Sequence, residues 1–197
     1  MNGIKIIFDY TLFLENKKIL VTAGPTREVI DPVRFLSNQS SGKMGYSLAK
    51  AARDYGGKVT LISGPVNLDK ISSIKHIDII SAKEMILKIK QEILKTEFDY
   101  IFMAAAVADF TPKKIHTEKV KKNNQGIIIE LKKTTDILKT IISKTNAIKI
   151  GFALETQNGE INAKNKLHSK QLDYIILNFA NEKGAGFASD TNHVYIY

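Results

Sequence analysis

The chain of 197 residues contains no cysteine. That absence excludes disulfides, thiolate metal sites and a cysteine nucleophile, and it suits a reducing compartment. No apolar run approaches the roughly 20 residues that span a bilayer as a helix. The opening stretch "MNGIKIIFDYTLFLENKK" has an apolar patch but lacks the basic lead and small-residue cleavage site of a secretory signal. A cytoplasmic protein without membrane attachment is expected. Arginine is scarce too, occurring only at Arg27, Arg34 and Arg53 among 29 basic residues. A guanidinium offers a planar fork that an ammonium cannot copy. Two arginines in one short segment therefore point either to bidentate anion recognition or to ordinary surface ion pairs.

Two nucleotide fingerprints are also missing. No GxGxxG follows the first expected strand, which argues against a dinucleotide oxidoreductase. The stretch "SNQSSGKMG" at 37–45 looks like a phosphate-binding loop, but Ser37 stands where that pattern needs glycine and Met44 where it needs a hydroxyl. What survives is a helix running to about Tyr55, capped by Ser40 or Ser41, whose free first-turn amides favour an anion. Asn38 has no role in that reading. The net charge of +9 is spread over scattered lysines, and "EKVKKNN" at 118–124 is the one dense basic run. Such a run is most simply a solvated face, and no nucleic-acid partner is expected from it.

What the chain does have is alternation. Short apolar runs at 18–23, 58–63, 76–80, 99–105, 127–131, 148–154, 173–178 and 193–197 predict strands, with helices near 43–56, 82–96, 135–144 and 160–171. Ser81 followed by Glu84 forms a capping box, and Ala82, Ile86, Ile89 and Ile93 make one apolar stripe that should face the core. Apolar strands alternating with helices predict an α/β fold of a single domain. Its expected form is a Rossmann-like, doubly wound, mostly parallel sheet with helices on both faces.

In such folds ligands bind beyond the carboxyl ends of the strands, and the unusual polar residues gather there. The connection from Gly24 to Ser41 carries two prolines and two arginines, and its length suggests function. "MAAAVADF" at 103–110 offers bare backbone to a flat ligand and then one carboxylate, Asp109, although alanine runs also serve close packing. "TTDIL" at 134–138 reads as a helix start with Thr134 or Thr135 as cap and Asp136 in the first turn. "GFALET" ends a strand with Phe152, a core or stacking residue, and with Glu155. Lys166 and Lys170 are four residues apart and share a helix face. A solvated face would explain them equally well.

Taken together, "VTAGPTREVIDPVRFLSNQSSGKMG", "AAAVADF", "EKVKK", "TTDIL", "GFALET" and "KLHSKQLDYIILN" resemble the phosphopantothenoylcysteine synthetase of bacterial coenzyme A biosynthesis, from about Lys18 to Tyr197. The resemblance implies a phosphopantothenate-cysteine ligase. CTP would activate 4'-phosphopantothenate as an acyl-cytidylate, and the amine of L-cysteine would then displace CMP. It implies Mg2+ carried mainly by the triphosphate, a homodimer, and possible association with a separate flavin-dependent decarboxylase. Asn38 and Lys119 are the catalytic residues implied. Met103, Ala104, Ala105, Asp109, Lys119, Thr135, Asp136, Ile137, Leu138, Phe152, Lys166 and Lys170 would line the nucleotide site. Arg34, Asn38, Ser40, Ser41 and Gly42 would meet the substrate. Residues 1–17 correspond to no motif and read as a linker-like leader, with 18–197 one synthetase domain short of the family's usual C-terminal end. The rival readings are a nicotinamide-dependent reductase on the same sheet and a non-catalytic basic RNA-binding protein.

Overall fold

The computed structural model describes residues 12–121, 126–141, 144–180 and 191–197. The apolar runs become the strands of a seven-stranded sheet. Its members in chain order are β1 (Lys18–Ala23), β4 (Lys58–Ser63), β5 (Lys75–Asp78), β6 (Tyr100–Met103), β9 (Ile148–Glu155), β10 (Tyr174–Phe179) and β11 (Tyr195–Ile196). Two small antiparallel pairs lie outside it, the hairpin β2 (Arg27–Val29) with β3 (Phe35–Ser37) and the two-stranded sheet of β7 (Phe110–Pro112) with β8 (Leu131–Lys133). The helices are α1 (Lys43–Asp54), α2 (Ala82–Lys95), α3 (Ile137–Ile141) and α4 (Gly159–Ser169).

The sheet order is β11-β10-β9-β6-β1-β4-β5, and every pair is parallel except the edge pair β10 with β11. This is the doubly wound order, reversing between β1 and β6, with one antiparallel strand added. Because successive side chains of a strand face opposite ways, β1 feeds two cores. Leu20 packs with Ile62, Met85 and Ile89 on the α2 face, while Ile19, Val21 and Ala23 pack with Ala49 and Leu61 on the α1 face. Each fully buried Leu or Ile there contributes about 1.5–3 kcal/mol relative to exposure. A third cluster joins α4 to β9 and β10 through Ala153, Ala163, Ile175 and Leu177.

The α2 start is as expected. Ser81 Oγ accepts from the Glu84 amide at 3.2 Å, and Glu84 reaches back to accept from the Ile80 amide at 3.0 Å. Buried Glu28 adds a third bond, accepting from the Ala82 amide at 2.9 Å.

Elsewhere the structure corrects the sequence reading. The N-cap of α1 is Gly42, not Ser40 or Ser41, and the two serine hydroxyls accept instead from the amides of Gly42 and Lys43 at 3.3 and 3.4 Å. Gly42 is required because its φ is +78° and a Cβ would lie 2.6 Å from Val66. A Cβ on Gly45 would lie 2.5 Å from that of Ala23, so this glycine lets α1 approach β1. The glycines of "SSGKMG" thus serve close packing as well as any ligand. At α3 the capping carboxylate is Asp136, which accepts from the Lys139 amide at 3.1 Å; neither Thr134 nor Thr135 takes that role. "IIIEL" is not a strand. Residues 126–130 belong to no strand; β8 begins at Leu131, opposite Pro112, and one further bond, from the Lys113 amide to the Glu130 carbonyl at 2.9 Å, extends the pairing.

Residues 12–17 were expected to belong to a leader, yet they dock on the domain. The Leu14 amide donates to the Tyr55 carbonyl, the Lys58 amide donates to the Lys17 carbonyl, and Lys17 pairs with Asp99 at 3.0 Å. The rest of that stretch, 1–11, lies outside the described residues.

Candidate active site

The sheet reverses between β1 and β6, and the two loops that leave it there are laced together. The Ala106 amide donates to the Gly24 carbonyl at 2.9 Å, and the Ala108 amide donates to Thr26 Oγ1 at 3.0 Å. Just before them, the Ala105 amide donates to the hydroxyl of buried Thr22 at 3.2 Å. Asn38 joins the same seam, its Nδ2 donating to the Val107 carbonyl at 3.0 Å. The "GPT" turn therefore holds "AAAVAD" as a fixed backbone shelf, with Asn38 exposed at its edge.

Next along the edge comes "TTDIL". Thr134 Oγ1 donates to the Ala108 carbonyl at 2.7 Å and the Thr134 amide donates to the Asp109 carbonyl at 2.9 Å, which ties this turn to the shelf. Ile137 and Leu138 turn their side chains into the core, so only their backbone is left to meet a ligand. Met103 is also packed among core residues, whereas Thr135 and Asp109 are exposed.

Lys166 and Lys170 close the group from α4. Neither is a solvated lysine. Lys166 Nζ donates to the Phe152 carbonyl at 2.7 Å, and Lys170 forms an ion pair with Asp136. Burial pushes the Lys166 ammonium below its ordinary value, the charge of Lys170 pushes it the same way, and Glu155, Asp109 and Asp136 partly oppose both. Partial burial works to raise the Asp136 carboxyl, but Lys170 and the Lys139 amide prevail and hold it below the usual carboxylate range. One face of α4 thus carries a desolvated lysine beside one paired with a carboxylate, a concentration of charge that an anion could join.

The resemblance grouped Ala104, Ala105, Asp109, Asp136, Phe152, Lys166 and Lys170 in one nucleotide site; the structure links Asp136 to Lys170, the Phe152 carbonyl to Lys166, and the Thr134 turn to Ala108 and Asp109. Lys119 is not joined to that group. It is exposed, on the segment after β7, and its neighbour Val120 is held by the turn at 31–34. Arg34, expected to meet substrate, has its guanidinium engaged by Asp31 and by the Val120 carbonyl. Sequence reasoning missed Thr26, Glu28 and Asp31, all buried polar side chains. Their one visible signal is the density of polar residues in a long loop bounded by prolines.

A family model described as the DNA/pantothenate metabolism flavoprotein C-terminal domain matches residues 14–197. The chain belongs to this family. It is 48% identical over 188 residues to the coenzyme A biosynthesis bifunctional protein CoaBC of Bacillus subtilis, covering 93% of this chain and 45% of that protein. The chain therefore spans about half the length of the curated relatives it matches. A crystal structure of the C-terminal domain of CoaBC superposes with a TM-score of 0.77 at 40% identity, covering 93% of this chain and 82% of the other. A mutant Cab2 in complex with phosphopantothenate-cysteine shares the fold at a TM-score of 0.72 and 15% identity, with 92% and 80% covered.

The two lysines of this family member make a test by pH. An anion favours the charged form of Lys166, whose value in the free protein lies below the ordinary 10.5. Affinity for any anion held by Lys166 should then fall as pH rises through that depressed value, by up to about tenfold per pH unit, and a nucleoside triphosphate is the probe that tests it. Titration calorimetry across alkaline pH should show this fall in the wild type and a flatter profile in Lys166→Ala. Parallel profiles would make Lys166 a structural lysine.

Proposed function

We propose that the chain is a phosphopantothenate-cysteine ligase that uses CTP. The carboxylate of 4'-phosphopantothenate attacks the α-phosphorus and pyrophosphate leaves; the amine of L-cysteine then attacks the acyl carbon, loses a proton and expels CMP. The observation that carries this reading is the lysine pair of α4, Lys166 desolvated against the Phe152 carbonyl and Lys170 paired with Asp136, beside the backbone shelf. The family and the CoaBC likeness support it further.

In this scheme the shelf at Met103, Ala104 and Ala105, with Asp109, takes the nucleoside, and Phe152 and the "TTDIL" backbone flank it. Lys166 and Lys170 take phosphates. Lys119 draws the triphosphate and the attacking carboxylate together, and Asn38 donates to the acyl oxygen in the second step. Arg34, Ser40, Ser41 and Gly42 border the substrate. Among the described residues no group of three or more His, Asp or Glu side chains could hold a metal. Mg2+ would travel mainly on the triphosphate, in keeping with its preference for phosphate and water, and would neutralise phosphate charge.

The homodimer is supported by exposed apolar side chains on the β2–β3 hairpin and on β7 and the segment that follows it, namely Val33, Phe35, Phe110, Ile115 and Ile128. The relatives' bifunctional character supports a flavin-dependent decarboxylase as the enzyme that takes the product.

Pyrophosphate release from CTP, ATP and GTP, with and without each co-substrate, tests the reading. CTP should be preferred on the order of a hundredfold, because a wrong base leaves shelf backbone groups unpaired. Equal or better turnover with ATP would reject the preference.

A further inference from the structure

Asp31 is a loop carboxylate only 2% exposed, and the scheme above gives it no task. Its Oδ1 accepts from the amides of Val33 and Arg34, both at 2.8 Å, closing the turn that Pro32 opens. Its Oδ2 accepts from the Val120 amide at 3.1 Å, 89 residues along the chain. Arg34 completes the grip: its NH1 lies 3.5 Å from Asp31 Oδ2, and its NH2 donates to the Val120 carbonyl at 3.0 Å. Both backbone polar groups of Val120 are thus held by one ion pair. Close by, the His116 amide donates to the Ile30 carbonyl at 2.9 Å. Burial works to raise the Asp31 carboxyl, but the Val33, Val120 and Arg34 amides and the Arg34 charge hold it below the ordinary range.

A local turn needs only one acceptor oxygen, which a neutral side chain could supply. Burying a charge is costly unless its other lone pairs are used. Here the second oxygen is used on Val120, whose neighbour Lys119 is exposed and has no ion-pair partner among the described residues. A lysine on a free loop would sample many positions with its flexible stem. Holding the next residue at both its amide and its carbonyl restricts where that stem starts.

We propose that Asp31, with Arg34, is a positioning residue that sets Lys119 for the first chemical step by gripping the Val120 backbone. This rests on the ligase reading above. Asp31→Asn keeps an oxygen for the turn and loses the acceptor for Val120. Single-turnover pyrophosphate release in this variant should slow by about ten- to a hundredfold, the usual penalty of a misplaced group. Its reaction of chemically prepared acyl-cytidylate with cysteine should proceed at the wild-type rate. Val120→Pro removes the gripped N–H without touching the turn and should reproduce the defect, whereas Val120→Ala, which keeps it, should not. The double variant Asp31→Asn, Val120→Pro should be no slower than either single one. If Asp31→Asn does not fold, Val120→Pro against Val120→Ala decides. Equal slowing of both half-reactions, or no slowing of the first, would overturn the positioning role while leaving the ligase reading intact. A wild-type chain that releases no pyrophosphate from CTP, ATP or GTP would overturn the ligase reading and the positioning role with it.

Discussion

Asn38→Asp should still release pyrophosphate from CTP and 4'-phosphopantothenate in a single turnover, and should then accumulate the mixed anhydride even when cysteine is present. Asn38 is exposed at the edge of the shelf, with one N–H given to the Val107 carbonyl at 3.0 Å. An amide carries a second N–H, which has no partner among the described residues and can meet the acyl oxygen as the cysteine amine attacks. A carboxylate has neither hydrogen, and it would repel both the Val107 carbonyl and the developing oxyanion. Losing one such donor typically costs about a hundred- to a thousandfold in rate. Because the amide is uncharged and no base at neutral pH, it contributes little while pyrophosphate is leaving. Quenched-flow separation of the intermediate from product checks this. A variant that folds and binds CTP but forms no anhydride would move Asn38 to the first step.

Lys119→Gln should show the opposite partition. The first step brings a carboxylate against a triphosphate, and an exposed ammonium with no competing carboxylate among the described residues can offset that repulsion. Glutamine keeps hydrogen-bond donors but removes the charge, so the loss isolates electrostatics. Formation of the acyl-cytidylate should fall by about a hundredfold, and added acyl-cytidylate should react with cysteine as in the wild type. A normal burst of pyrophosphate followed by slow amide formation would refute the assignment.

The different fates of the two α4 lysines show why spacing was a partial guide. Their separation of four residues put them on one face of a helix, as the sequence implied. What surrounds that face depended on which loops arrive there. Asp136 comes to Lys170 from 34 residues away, and the Phe152 carbonyl comes to Lys166 from 14, which turns a plausible solvated surface into a charged, half-buried pair. Arg34 illustrates the reverse. The scarcity of arginine left anion recognition and ordinary ion pairs both open for it, and in the structure its guanidinium pairs with Asp31 and holds the Val120 carbonyl.

The sequence by itself determined the parallel sheet, the capping box of α2 and the edge on which the polar motifs gather. Those features depend on local propensity and on periodicity within a few residues, and β1, β4, β9 and β10 appear almost where the apolar runs lie. Only the tertiary structure decided the two small antiparallel sheets, because strands of three residues such as β2 and β7 exist through their partners and leave no periodic trace. "IIIEL" failed for the same reason: it has the composition of a strand, but its pairing with the segment after β7 reaches only from Leu131 back to Glu130, whose carbonyl accepts from the Lys113 amide at 2.9 Å. The buried polar anchors were equally hidden. Glu28, Thr26 and Asp31 bond to amides 54, 82 and 89 residues away. A carboxylate that satisfies a distant backbone looks in sequence like any solvated acid, and only the fold that removes it from water gives it a partner.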